Sequence, residues 1–265
     1  MSKESAGTAH QARITWLGHS TVLVELDGTR LLTDPVLRDR VAHLRRTKPA
    51  DAGMLFTLDG VLVSHLHYDH LDYPSLERLS RSVPVVPRGA GRLLRRRRFE
   101  QVVEVEPGEE VRLGDLVVRA THADHEGGRG FLGTEVAALG YLIRGSHQIY
   151  FAGDTDLFEE MATLAPDLNV ALVPIWGWGP SLGPGHLDPR RAAEALRLLR
   201  PLLAVPIHWG TYAPLGFGRL QTALLTDPVT EFRRHAAELA PEVEVYVLGL
   251  GGTLHLDEIT GGSPG

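Results

Sequence analysis

The chain has 265 residues, 43% of them hydrophobic and 23% charged, with a formal net charge of −6 and no cysteine. That composition supports a sizeable core and excludes disulfides, thiolate metal ligands and cysteine nucleophiles, while the acidic balance argues against nucleic acid as a partner. No apolar run approaches the ~18 residues that span a bilayer.

Residues 1–12 mix polar and small side chains with no apolar segment, so they read as a disordered tail without a secretory signal, and the protein as cytoplasmic. Strands are predicted at Arg13–Trp16, Thr21–Leu26 and Arg30–Thr33, the last two joined by the hairpin dipeptide Asp27-Gly28. The continuous apolar strand Gly60–Ser64 predicts burial on both faces. It runs into Ser64-His65-Leu66-His67-Tyr68-Asp69-His70, which puts three imidazoles and a carboxylate into six residues. Imidazole and carboxylate are ligands that zinc, manganese and iron accept, so this strand end predicts a metal site.

A helix follows at Tyr73–Leu79, a strand at Pro84–Val86 and a helix at Gly89–Phe99. The last contains Arg92 and the run Arg95-Arg96-Arg97-Arg98, which reads as the solvated face of a short helix because Glu104, Glu106, Glu109 and Glu110 follow closely. Strands are predicted at Gln101–Val105 and Leu113–Ala120, the second entering Thr121-His122-Ala123-Asp124-His125-Glu126. Two more, Gly140–Ile143 and Gln148–Ala152, lead to Gly153-Asp154-Thr155-Asp156 and a helix over Asp156–Leu164. Buried strands are expected at Asn169–Val173 and Leu203–Ile207, the latter ending in His208-Trp209-Gly210-Thr211.

Asp188-Pro189 reads as a helix N-cap followed by proline in the first helical position, and Asp227-Pro228 repeats that start before Val229–Ala240. Strands Val243–Leu248 and Thr253–Leu256 precede a flexible Gly-rich tail at 259–265. Without a linker or repeat, residues 13–258 read as one domain of mixed α/β layers.

Metal-type side chains at the ends of several strands are how layered α/β folds assemble their sites. His19, just before the second strand, lies outside the ligand spacing, and His186 precedes the capped helix at Asp188. Trp176 and Trp178, in Trp176-Gly177-Trp178-Gly179-Pro180, are candidate pocket walls for a substrate with an apolar part, as is the segment Tyr212–Phe217. His10, His43, His147, His235 and His255 show no ligand spacing.

The combination of His-x-His-x-Asp-His, a later His, Gly-Asp-Thr and a final His resembles the metallo-β-lactamase-fold hydrolase superfamily. Within it, Thr15-Trp16-Leu17-Gly18-His19-Ser20, Phe151-Ala152-Gly153-Asp154-Thr155 and Pro206-Ile207-His208-Trp209-Gly210-Thr211 look most like the branch containing N-acyl phosphatidylethanolamine phospholipase D and L-ascorbate-6-phosphate lactonase. The resemblance implies a four-layer αββα sandwich with two divalent ions at one edge of two sheets, zinc first, with manganese or iron as alternatives. It implies His65, His67 and a later His on one ion, Asp69, His70 and His208 on the other, and Asp154 between them. The family register selects His125 as the later ligand and makes His122 a neighbour of the ligands or a pocket residue; a shifted register would make His122 the ligand instead. Glu126 stands where the family has an aromatic residue.

By the same resemblance His19 lies beside the ligands, and His186 binds substrate or acts as a general acid. Asp69 would also orient the nucleophile or pass a proton to the leaving group. The implied reaction is attack by a metal-activated hydroxide on a phosphodiester, lactone or related ester of a small or lipid-like molecule. An iron-dependent oxidoreductase on the same scaffold, an RNA or DNA hydrolase, and a metal-binding protein without catalysis stay open as alternatives, as does an oligomer.

Overall fold

Strands that are apolar on both faces need a covering layer on each side, and the chain supplies four layers to meet that need. The computed structural model describes residues 12–49, 53, 57–79, 81–129, 134–177, 183–215 and 222–257. The expected tails lie outside these residues, apart from Ala12, which is buried and donates its N–H to Asp257 at 3.0 Å.

The first half contributes β1 (Arg13–Gly18), β2 (Thr21–Leu26), β3 (Thr29–Thr33), the short strands β4 (Arg40–Val41) and β5 (Leu44–Arg46), and β6 (Gly60–Leu62). Then come α1 (Tyr73–Glu77), β7 (Val83–Pro87), α2 (Gly91–Arg95) and β8 (Val103–Val105). The second half contributes β9 (Glu110–Leu113), β10 (Leu116–Glu126), β11 (Ala137–Arg144), β12 (Gln148–Phe151), a short 3-10 helix at Glu159–Thr163, and β13 (Val170–Pro174). It ends with α3 (Pro189–Leu199), β14 (Leu203–Ile207), β15 (Tyr212–Pro214), α4 (Thr222–Leu239), β16 (Glu244–Val245) and β17 (Thr253–His255).

Two seven-stranded sheets form, ordered β17-β1-β2-β3-β6-β7-β8 and β16-β14-β13-β12-β11-β10-β9. Each has antiparallel pairings at one end and parallel pairings at the other. Their facing sides share one core that includes Ile14, Val24, Leu62, Tyr141, Phe151 and Val205. The outer face of the first sheet packs under α1 and α2 through Leu76 and Leu94, and the outer face of the second under α3 and α4 through Leu196 and Phe232. This is the αββα sandwich. Among the described residues no helix is long and apolar enough to cross a membrane.

Several local expectations are corrected. The strand predicted over Leu113–Ala120 is a hairpin turning at Gly114-Asp115, with β9 on one arm and β10 on the other. The helix predicted over Asp156–Leu164 shortens to the 3-10 turn because Asp156 pairs with Asp124 in a β-bridge and leaves only Glu159–Thr163 to coil. Asp227-Pro228 does not start a helix: α4 begins at Thr222 and Pro228 stands inside it, forgoing one backbone hydrogen bond. The strand expected over Val243–Leu248 narrows to β16.

The parallel strands β3 and β6 run side by side, as do β12, β13 and β14, so their C-terminal ends collect at one edge. Tyr141 ties the two sheets together there: its hydroxyl, buried in the shared core, donates to the Val63 carbonyl at 2.7 Å. Tyr141→Phe should therefore cost about 1–2 kcal/mol by leaving that carbonyl unpaired, measured as a lower midpoint in guanidinium unfolding. An unchanged midpoint would show that the bond does not brace the strand feeding the histidine motif.

Candidate metal centre

The edge where those strands end gathers every residue expected as a ligand. His65, His67 and His125 bring ring nitrogens within 4.8 Å of one another, and ring nitrogens of His19, His70 and His208 gather equally closely with a carboxylate oxygen of Asp69 alongside them. Asp154 lies between the groups, 3.2 Å from His70 Nε2 and 3.3 Å from His208 Nε2, and it also clusters with His125 and His186. Gly153 allows this placement. At φ +64°, a Cβ there would come within 2.8 Å of the Leu139 carbonyl and Ser64.

Hydrogen bonds on the far side of each ring decide what the near side presents. A backbone carbonyl only accepts, so His125 Nδ1 donates to Gly185 at 2.8 Å and His208 Nδ1 donates to Trp176. Asp34 accepts from His70 Nδ1 at 2.7 Å and from the Ser64 hydroxyl at 2.6 Å, which leaves Ser64 Oγ to accept from His65 Nδ1 at 2.9 Å. In their neutral forms all four rings therefore turn an Nε2 lone pair inward. His70 and His208 Nε2 face each other at 3.2 Å, and His67 Nδ1 lies 3.0 Å from His65 Nε2 and 3.2 Å from His125 Nε2. Lone pairs this close repel unless a cation or a proton lies between them.

The electrostatics agree. Burial pushes His65 well below the ordinary imidazole pKa and His125 down to about 4, so both are held neutral, the ligating form. Burial also opposes charge on His70, yet Asp154 and Asp34 on either side raise its pKa well above the ordinary value. Burial alone would raise Asp154, but His208 and His70 hold it well below the usual carboxylate range. The centre thus attracts positive charge. Asp154 Oδ1, 3.3 Å from His208 Nε2, is buried with no hydrogen-bond partner among the described residues, an acceptor that could meet a cation. These donors, neutral nitrogens with few carboxylate oxygens, fit divalent transition metals.

The two other histidines expected nearby are present. His19, held at φ +54°, points Nε2 at Asp69 Oδ2, 3.1 Å away, and burial pushes its pKa down to about 3. His186 places Nε2 3.7 Å from Asp154 and stacks edge-on against His125. His122 is not brought in: it is exposed and packs against Phe158, because burial along β10 from Thr121 alternates with Thr121, Ala123 and His125 turned inward. Trp176 reaches the centre through its carbonyl, while Trp178 lies outside the described residues.

Sequence reasoning missed Asp34, in Thr33-Asp34-Pro35, although this too is a strand ending in a metal-type side chain. It also missed the small sheet β15-β5-β4. There the buried Arg46 donates to the Leu17 and Val36 carbonyls and lies over the Tyr212 ring, whose edge meets His19 at 5.3 Å.

A family model described as a β-lactamase superfamily domain matches residues 29–209, more than half of the chain. The chain belongs to the metallo-β-lactamase-fold hydrolase superfamily. A UPF0173 metal-dependent hydrolase of Caldivirga maquilingensis is 32% identical over 251 residues, covering 92% of this chain and 97% of that one. N-acyl-phosphatidylethanolamine-hydrolyzing phospholipase D 1 of Caenorhabditis elegans is 32% identical over 230 residues, 76% of this chain and 64% of its own length. Uncharacterized mycobacterial relatives are also matched over only 64% of their length. Among solved structures, Igni18, a metallo hydrolase of Ignicoccus hospitalis, superposes with a TM-score of 0.71 at 26% identity, covering 92% of this chain and 97% of that one.

Within this superfamily member, Asp34 should govern metal affinity without touching metal. Asp34→Asn is expected to weaken zinc binding about 10–100-fold in a competition titration against a chromophoric chelator. Unaltered affinity in a folded variant would remove Asp34 from the account.

Proposed function

We propose that this centre holds two divalent cations and that the protein hydrolyses a phosphodiester, lactone or related ester. His65, His67 and His125 would hold one ion, and Asp69, His70 and His208 the other, with Asp154 shared between them. The observation that carries this reading is the convergence of ring nitrogens on both sides of a buried carboxylate whose Oδ1 has no hydrogen-bond partner among the described residues. Divalent ions held there would supply Lewis acidity and would bring the pKa of a water towards neutrality, which suits ester hydrolysis at neutral pH.

The remaining roles belong to the chain. Asp69 is held by His19 yet keeps its side chain 18% exposed, so it can receive a proton from the nucleophile side and release it towards a leaving oxygen. His186 is anchored by Nδ1 to the Pro184 carbonyl at 3.1 Å, with its side chain 23% exposed, and is oriented to hydrogen-bond a substrate oxygen. The names of relatives support hydrolysis, and that of the nematode phospholipase supports a lipid-like phosphodiester in particular. The Trp176 side chain, expected as a pocket wall, instead packs on the core beneath α3 and α4 and meets the centre through its carbonyl.

Chelator treatment should abolish turnover across a panel of phosphodiesters, lactones, acyl esters and β-lactams, and added zinc or manganese should restore it on a phosphodiester or a lactone. Asp154→Asn is expected to lower kcat/KM by at least about 100-fold. Turnover that survives both treatments, or a metal-loaded protein inactive on every ester, would contradict the reading.

A further inference from the structure

The arginine run that the sequence presents as a solvated helix face is only partly that. Arg95 pairs with Glu104, and Arg97 pairs with Glu77 at 3.3 Å. Arg92 and Arg96 have no acidic partner among the described residues, and as an i, i+4 pair of like charges they repel. Both open onto a groove of about 660 Å³ that also receives Arg38 and Arg129 from distant parts of the chain. Among the described residues, five guanidinium groups and one carboxylate, that of Asp72, line it. Asp72 is itself engaged by Arg38 at 2.9 Å.

Arg129 is the best-organised of these groups. Its guanidinium lies 3.9 Å from the Tyr68 ring centre and 4.8 Å from that of Tyr73, with Arg97 3.9 Å from Tyr73 on the same floor. Nη2 donates to the Leu71 carbonyl at 3.0 Å, while Nε is buried without a partner among the described residues. Tyr68 is 58% exposed, an unusual position for so large a ring. It stands between His67 and Asp69 in the chain, one Cα step of about 3.8 Å from each. The groove and the metal centre therefore share a wall, the loop from His65 to Asp72.

Several guanidinium groups brought together from three segments, with Arg92, Arg96 and Arg129 lacking a carboxylate partner among the described residues, suit an anion with several acceptor oxygens in a compact, fork-shaped arrangement. We propose that this groove binds a phosphate group of the substrate, held against Arg129 and Tyr68 so that the bond to be cleaved extends over Asp69 into the metal centre. The proposal builds on the hydrolase reading and narrows its substrate class to esters that carry a phosphate. The phosphate could belong to a soluble ester or to a lipid head group.

Binding, not turnover, is the test, so an inactive protein still answers it. The full-length double variant Arg92→Gln/Arg96→Gln alters only exposed side chains and should keep the wild-type melting temperature. In calorimetric titration with inorganic phosphate, wild type should show a site that the variant lacks or holds at least about tenfold more weakly. In a parallel arm, both proteins are sedimented with phosphatidylglycerol vesicles and with phosphatidylcholine vesicles. Loss of phosphate binding in the variant supports a soluble phosphate ester. Loss confined to phosphatidylglycerol vesicles supports a lipid head group. Equal binding of phosphate and of both vesicles by the two proteins overturns the proposal.

Discussion

Asp34 ends β3 fully buried, at φ +30°, and accepts from the Ser64 backbone N–H at 2.7 Å, the Ser64 hydroxyl at 2.6 Å and His70 Nδ1 at 2.7 Å. Much else depends on this carboxyl group. Through Ser64 it fixes the tautomer of His65, and directly it fixes that of His70, so one buried group orients a nitrogen on each side of Asp154. A sparsely populated backbone conformation is tolerable there because three hydrogen bonds hold the residue in it. Without Asp34, the loop after β6 would keep its histidines but lose the constraint on which nitrogen each turns inward.

The centre is built against the ordinary logic of a protein interior. Imidazole lone pairs and carboxylates are packed at distances that repel in the absence of positive charge, inside a sandwich whose two sheets are apolar on their shared face. The fold carries that cost with two sheets braced across the site, for example by Leu139 N–H to the Ser64 carbonyl at 2.9 Å and His208 N–H to the His19 carbonyl at 2.9 Å. A cation that binds only the folded chain returns free energy to folding by mass action, so metal binding and stability are linked here.

Most of the candidate site was legible in the sequence because its candidate ligands cluster in short segments at strand ends. His65, His67, Asp69 and His70 occupy one loop, and Asp154 and His208 each follow an apolar strand. The layers were legible for the same reason, since strand and helix patterns alternate cleanly. Asp34 was hidden because Asp before Pro reads equally well as a turn, and its role appears only when β3 pairs with β6. The arginine groove was hidden because Arg38 and Arg129 reach it from segments that no local pattern connects to the run at Arg95. Pro228 misled because the local rule for helix starts lost to packing: α4 lays Phe232 and Ala236 on the second sheet and starts earlier than its proline suggests.

The central claim is that two cations divide these ligands between them, and anomalous diffraction at the metal edge tests it most directly. The account predicts two peaks about 3.5–4 Å apart. One should lie about 2.1 Å from nitrogens of His65, His67 and His125, and the other against His70, His208 and Asp69, with Asp154 touching both. A single peak, or a metal bound by His122 in place of His125, would contradict it.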